Sequence, residues 1–422
     1  MRILADIGEL DEMIAACDAA EAVSDDALRA VFATFRMEPP PGGADPFSPE
    51  YRAAEMRLYE TIAGRPYSTA NEVTAFDVAQ ALRAPFPFST GSTATAGEHF
   101  AAMGMLLRAM PLPRGARVLE FGPGWGNTTL ALARLGHRVT AVDIEPHFCE
   151  LLRRRAAAEE VALEVVNDDF LWAEEAPDAA FDAVVFFECF HHCADHLRLL
   201  AALPRILAPG GRVLFGAEPI QPDFPRPWGL RLDGSSLWAI RRNGWLELGF
   251  RDDYFRAALA RAGLAGRRIA SADLPWLSVW EARKAAELGL RWGADAPEIR
   301  TAAAVKRGGA VAFDGRAGTL VFGPYAALPA GRWRARMTFR AAGTATGRAR
   351  MDVSAGAGAR VLAARPLTAA AILEGGLAAD LPFEAAEDLE GVEVRLHGEG
   401  RGLFDRGFGG VELLAVEILP VG

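Results

Sequence analysis

Arg117–Val118–Leu119–Glu120–Phe121–Gly122–Pro123–Gly124–Trp125–Gly126–Asn127 is the stretch on which the fold turns. Its first five residues read as a short buried strand. The strand ends in a glycine turn that runs straight into a helix over Thr128–Leu135. Glycines let the backbone approach a guest closely, and the first N–H groups of a helix point outward at it. Strand, loop and helix start therefore form a site for a polar ligand. A second strand, Val139–Thr140–Ala141–Val142, stops at Asp143. A carboxylate at a strand's C-terminal end, about 20 residues past the first glycine, is placed to accept both hydroxyls of a ribose. The stretch predicts a cofactor that carries a nucleoside.

The dinucleotide fingerprint G-x-G-x-x-G has its third glycine where this chain has Asn127. Here the glycines fall at Gly122, Gly124 and Gly126, and Glu120 stands two residues before the first. A carboxylate there repels a diphosphate and suits the cationic amino-acid end of S-adenosylmethionine. On these residues the segment from about Gly115 to Arg283, under half of the chain, resembles the class I S-adenosylmethionine-dependent methyltransferases. Their first motif is an acidic residue followed by G-x-G-x-G. A βα turn without a cofactor and a nicotinamide dehydrogenase are the other readings the stretch allows. The resemblance implies S-adenosyl-L-methionine as cofactor, held by Glu120, Gly122, Gly124, Gly126, Asn127, Asp143 and Ile144. It implies that an acid after the third strand, Asp168 or Asp169, accepts from the adenine amino group while Phe170 packs on the ring. By position Asp169 fits that role better. Glu188, at the end of the fourth strand, completes the cofactor set.

From Ala116 onward strands alternate with helices, which predicts a parallel sheet covered on both faces. The expected strands are Arg117–Phe121, Arg138–Val142, Ala162–Val166, Phe181–Phe187 and Arg212–Ala217, closed by Arg267–Ala270 and Ser278–Ala282. The fold class is thus α/β, a Rossmann-like methyltransferase sheet over residues 96–293, with an insertion at 219–249. Residues 1–95 read as a helical lid region. One apolar stripe runs through Ile3, Leu4, Ile7, Leu10, Ile14 and Cys17, and another through Leu28, Val31, Phe32 and Phe35. Pro39–Gly43 reads as a linker. The hydroxyl-rich runs Tyr67–Glu72 and Pro85–Thr95 suit a loop that closes over a polar substrate, or a cap on the helix that follows. The insertion mixes Trp228, Trp238 and Trp245 with Asp233, Ser235, Ser236 and Arg241, which suits either a sugar or a docking surface. Residues 294–422 carry short alternating runs between glycine-rich turns, from Ala310–Phe313 to Val411–Ile418. They predict an antiparallel β-sandwich of jelly-roll type. Gly323–Pro324–Tyr325 and Leu328–Pro329–Ala330–Gly331 read as turns.

A hydroxyl that attacks the sulfonium needs its proton removed, and histidine titrates in the right range. The segment Glu188–Cys189–Phe190–His191–His192–Cys193–Ala194–Asp195 is similar to the E-S-x-H-H-x-x-D segment of small-molecule methyltransferases, natural-product sugar O-methyltransferases among them. That similarity makes His191 or His192 the expected base, with Glu218 as the orienting carboxylate. Cys189 departs from the pattern, where a hydroxyl residue stands. Cys189 and Cys193 flank the histidines, yet no second Cys/His pair has structural-zinc spacing, so no metal is expected. Asp168, Asp169 and Glu218 are the carboxylates that a magnesium-assisted transfer would use.

The 422 residues carry a net charge of −10, with 51% hydrophobic and 24% charged residues. That balance argues against an extended nucleic-acid surface. No apolar run is long enough to span a bilayer, and the N-terminus does not read as a signal peptide. Four cysteines fit a reducing compartment. The expectation is a bacterial cytoplasmic enzyme, with homo-oligomerisation open, that O-methylates a sugar or cell-envelope glycan. A small aromatic or lipid-like acceptor and a non-catalytic adenosyl-ligand scaffold are the alternatives.

Overall fold

The computed structural model describes all residues except 41–42, 74, 273, 275–276, 288, 329, 400–406 and 422. Pro41 and Gly42 of the expected linker and Pro329 of an expected turn lie outside the described residues. Strand β1 (Arg117–Phe121) is buried over its last four residues. It shares a sheet with β2 (Arg138–Asp143), β3 (Glu164–Asn167), β4 (Phe181–Phe187), β5 (Leu207–Gly216), β6 (Leu264–Ala270) and β7 (Ser278–Lys284). The order is β6-β7-β5-β4-β1-β2-β3. β1 pairs in parallel with β2 and β4, β2 with β3, and β4 with β5, whereas β7 runs antiparallel to β5. The order reverses where β1 lies between β2 and β4, and a crevice opens beyond the carboxyl ends there. Val118, Val139, Ala183, Val185 and Leu214 cluster with Leu106, Met110 and Leu132, while Ala141 clusters with Leu130, Leu152 and Ala156. Burying such side chains contributes roughly 1.5–3 kcal/mol each, which fixes the strand ends in place.

The chain forms two compact units, Met1–Ala262 with Gly266–Arg283, and Gly263–Ala265 with Lys284–Gly422. The helical region 1–95, read as a region of its own, folds into the same unit as the parallel sheet. Its helices include Ile7–Glu21, Asp25–Phe32, Pro49–Ala63 and Val78–Arg83, followed by Thr93–Ala109. The side chains of Asp6, Ser24, Ser48, Asp77 and Ser92 accept from N–H groups of the first turns. The first stripe is corrected in part. Arg2–Leu4 is a strand paired in parallel with Phe35–Met37, because the Asp6 cap starts the helix only at Ile7. Ile3, Leu4 and Phe35 therefore leave their helical stripes.

The insertion folds as well. Ile220–Gln221, Leu248–Arg251 and Trp228–Leu230 form a three-stranded sheet, and Gly234–Trp238 a short helix. It docks on the N-terminal helices: Tyr51 Oη donates to the Trp228 carbonyl at 2.7 Å, and Trp238 Nε1 donates to Asp18 Oδ1 at 3.0 Å. Trp228 is 1% exposed, so it packs inside and offers no face to a sugar.

In the second unit two six-stranded sheets are antiparallel in every described pairing. Their alternating residues, Val311, Met337, Phe339 and Val416 from one and Leu320, Met351, Val394 and Leu396 from the other, share a single apolar cluster. Pro324–Leu328, whose ends fall in the expected turns Gly323–Pro324–Tyr325 and Leu328–Pro329–Ala330–Gly331, is an irregularly paired strand beside Leu389–Gly398, with proline at its first position.

Candidate active site

Gly122, Gly124 and Gly126 have φ values of 57°, 50° and 77°, in the left-handed region. Space constrains two of them further. A Cβ on Gly122 would lie 2.6 Å from Cys189 Cβ, and one on Gly126 would lie 2.4 Å from Leu152 Cδ1. Gly122 lets the end of β4 close on the loop, and Gly126 does the same for the helix Pro146–Ala158. Gly124 N–H donates to Asp143 Oδ2 at 3.0 Å, and Glu145 N–H donates to Asp143 Oδ1 at 2.9 Å. One carboxylate thus ties the glycine loop to the end of β2. Burial raises its pKa to about 6.

The crevice between these strand ends holds about 230 Å³. Gly122, Gly124, Asp143, Ile144, Asp168, Asp169, Phe170, Glu188 and His192 line it, and Tyr67, Thr69 and Glu72 form another part of its wall. Asp169 Oδ1 is engaged as the cap of a short turn, accepting from Leu171 N–H at 2.7 Å. Glu120, Gly126 and Asn127, also assigned to the cofactor, are not among the lining residues. Glu120 is 2% exposed and accepts from Thr129 Oγ1 at 2.6 Å, and burial raises its pKa to about 7. It braces the helix start from behind the loop. Asn127 Nδ2 donates to the Phe86 carbonyl at 2.9 Å and lies 3.0 Å from His99 Nε2, while Asn127 Oδ1 accepts from Arg155 at 3.0 Å. Those bonds commit its side chain to the protein. Of the upstream hydroxyls, Ser92 caps the helix Thr93–Ala109.

The two adjacent histidines face different spaces. His192 lines the crevice, with Nδ1 3.4 Å from Glu72 Oε2, an ion-pair distance without hydrogen-bond geometry. Burial works against its charge, but Glu72, Glu247 and Glu218 outweigh burial and lift its pKa to about 9. His191 is buried and lines a second cavity of about 870 Å³. Its Nδ1 donates to Glu218 Oε2 at 2.8 Å. Burial pushes Glu218 upward, yet His191 and the N–H groups of Cys189 and Phe190, at 2.8 and 2.9 Å, hold its pKa below the usual glutamate value. An ionised Glu218 keeps a proton on Nδ1 and fixes the ring, with Nε2 turned toward Glu247.

The second cavity lies between the insertion and the segment Phe32–Pro39, with Arg36, Glu38, Arg226, Arg231, Asp233 and Glu247 in its walls. Glu188 lines both spaces. Its φ of 53°, like the 54° of Ala217 beside it, is strained for a side-chain-bearing residue. Glu145 and His99 escaped sequence reasoning, although Glu145 had a signal, since it caps a helix whose first residue is Pro146. Glu72 lies in the expected loop Tyr67–Glu72 and Glu247 in the insertion, but nothing local singled out either side chain, because they approach the histidines from distant parts of the chain.

All four cysteines are free and buried. Cys189 Sγ donates to the Phe121 carbonyl at 3.1 Å, and burial pushes both Cys189 and Cys193 thiols upward, away from the thiolate a zinc site needs. Among the described residues the donors that do converge are His191, His192 and Glu247, one ligand atom of each lying within 4.8 Å of the others.

Residues 119–215 match a family model described as a methyltransferase domain. An S-adenosyl-L-methionine-dependent Diels-Alderase of Talaromyces variabilis is 37% identical over 112 residues, 25% of this chain and 38% of that protein. A ubiquinone biosynthesis O-methyltransferase of Xanthomonas axonopodis pv. citri is 36% identical over 103 residues, 24% of this chain and 42% of that protein. The chain thus spans about two fifths of the length of these relatives. A 1,6-didemethyltoxoflavin-N1-methyltransferase of Burkholderia thailandensis, solved with S-adenosylhomocysteine, is 22% identical, covering 58% of this chain and 93% of that one at a TM-score of 0.36. With the sheet order and the glycine loop beside them, the sequence matches identify the chain as carrying a class I S-adenosylmethionine-dependent methyltransferase domain.

Proposed function

We propose that the protein transfers the methyl group of S-adenosylmethionine to a hydroxyl of a sugar or glycan unit. The observation that carries this is the junction of two spaces at one wall: Glu188 lines both, and the neighbouring His192 and His191 each line one. The crevice takes the cofactor and the larger, polar cavity takes the acceptor. Asp143 accepts the ribose hydroxyls. Asp168 or Asp169, each with one oxygen already accepting a backbone N–H and one left over, receives the adenine amino group, and Phe170 packs on the ring. A ubiquinone biosynthesis O-methyltransferase among the relatives favours oxygen as the accepting atom. The C-terminal unit is read as a β-sandwich, because both sheets feed one core.

Transfer is an in-line displacement that the cofactor's sulfonium drives, so the protein supplies alignment and removal of the acceptor's proton. His192 lines the crevice and not the larger cavity, and Glu72, Glu247 and Glu218 favour its protonated form, so it is the poorer base. Proton loss therefore depends on His191, which Glu218 orients toward the acceptor cavity. Calorimetric titration with S-adenosylmethionine, followed by transfer of labelled methyl to a panel of sugars and oligosaccharides, tests the reading. His191→Ala is expected to bind the cofactor normally and lose about 100-fold or more in turnover. Full turnover in that variant, or transfer to none of the sugars, refutes it.

A further inference from the structure

We infer that His191, His192 and Glu247 form a binding site for one divalent first-row cation, whose open positions face the acceptor cavity and take two adjoining oxygens of the acceptor. The inference rests on the methyl-transfer reading for its role and refines one part of it. His191 promotes proton loss by holding a cation, and does not itself take the proton.

The geometry at Glu247 carries the argument. The Nδ1 proton of His191 is committed to Glu218, which is itself fixed by backbone N–H groups. His191 Nε2 faces Glu247 Oε2 at 3.6 Å. At that separation no N–H···O bond joins the two atoms. The same separation is only slightly longer than that of two ligands about one cation, since bonds of about 2.1 Å set adjacent donors roughly 3–3.5 Å apart. The ring of His192 stands 4.2 Å from that of His191 and brings the third donor within 4.8 Å, its ring nitrogen giving up any proton to the solvent as the cation binds. Opposed ligands on one cation are at most about 4.2 Å apart, so the three must draw in by about half an ångström. Two imidazoles with one carboxylate suit manganese, iron or zinc, and leave positions for substrate. The carboxylate on the far nitrogen of a ligating histidine is the usual support of such a ligand, and Glu218 occupies that place. Arg231 lies 3.3 Å from the same Glu247 oxygen and offsets part of its charge. A coordinated hydroxyl is more acidic, as metal-bound water is. Its proton passes to the Glu188 carboxylate, its oxygen bonds to the methyl carbon, and the carbon–sulfur pair returns to sulfur. The products are a methyl ether and S-adenosylhomocysteine. Vicinal hydroxyls, as in a sugar or a catechol, provide the two oxygens.

The test uses full-length protein freed of metal with EDTA and titrated with MnCl₂ and, separately, ZnCl₂, with S-adenosylmethionine titrated in parallel. One cation is expected per chain. His191→Ala and Glu247→Gln, each checked for folding by circular dichroism, are expected to weaken it about tenfold or more. Glu247→Gln should leave cofactor affinity unchanged. Cofactor binding with no cation uptake at millimolar metal overturns the cation site and leaves the methyltransferase reading standing. Cation uptake that both variants abolish supports the site, even where the cofactor fails to bind and the methyl-transfer reading falls. Uptake unchanged in both variants places the cation elsewhere and overturns the inference.

Discussion

Asp143 gives the sharpest prediction at the scale of single residues. Its pKa in the folded protein, about 6, lies above the ordinary aspartate value, so it keeps its proton where an exposed aspartate has lost it. Stability from that proton is complete at low pH and disappears as pH rises through about 6. Ribose recognition needs the opposite form, because only the carboxylate accepts from both hydroxyls. Affinity for S-adenosylmethionine is therefore expected to fall about tenfold from pH 7 to pH 5. Calorimetry at several pH values checks this, and Asp143→Asn should bind weakly with that pH step removed. A wild-type affinity flat across this range would contradict the ribose role. Asp143 was legible because it depends on a strand end at a fixed distance from a glycine. Gly122, Gly124 and Glu188 share that dependence, and all four residues line the crevice. Glu120 does not line the crevice: its type matches the motif, but a side chain on a central strand points where the sheet dictates, and here it accepts from Thr129. Glu72 and Glu247 were legible only as members of the Tyr67–Glu72 loop and the insertion; their approach to the histidines was not, since it depends on where each segment comes to rest.

Elements were legible where local rules and tertiary demands agree. Arg117–Phe121 and Phe181–Phe187 occupy the expected residues because an apolar run between turn signals has little alternative. The stripe from Ile3 to Cys17 mixed two elements because strand residues happened to fall at helical spacing, and only the Asp6 cap separates them. Pro324–Leu328 was missed because an irregularly paired strand gives little alternation. Between elements, Gly126 makes the most testable contact. It joins β1 to the helix Asn127–Arg134 at a φ of 77°, with Leu152 of the next helix against it. Gly126→Ala is expected to cost about 2 kcal/mol, roughly half from the left-handed backbone and the rest from displacing Leu152. Denaturant unfolding measures the loss. Leu152→Ala behind it should remove the steric part and leave the backbone part, so the two losses should not add. Strict additivity would show that the contact carries none of the cost.

At the scale of the molecule, the first unit depends on a junction no local pattern announces. Arg226, in the insertion, pairs with Glu55 of the helix Pro49–Ala63 at 2.6 Å, and both are buried. Glu55 Oε2 also accepts from Leu230 N–H at 3.1 Å. The insertion thereby fixes one wall of the larger cavity to a helix read as part of a lid region. Charge, length and the alternation of strands and helices were enough to assign an α/β sheet. They say nothing of this pair, whose members are far apart in sequence and lie outside any motif. Burial already holds the Glu55 pKa above its usual value despite Arg226 beside it. Arg226→Ala strands that carboxylate and is expected to cost about 3 kcal/mol or more at pH 8. Without its partner, Glu55 rises further above its unfolded value. A carboxyl shifted upward loses stability as pH rises, so the deficit should shrink toward pH 5, where Glu55 takes up a proton. Glu55→Gln with Arg226→Met removes both charges at similar volume and should recover most of the loss at every pH. Urea unfolding of the three variants at pH 5 and 8 decides it: a deficit equal at both pH values would mean that Arg226 acts through packing, and that the cavity wall does not depend on the ion pair.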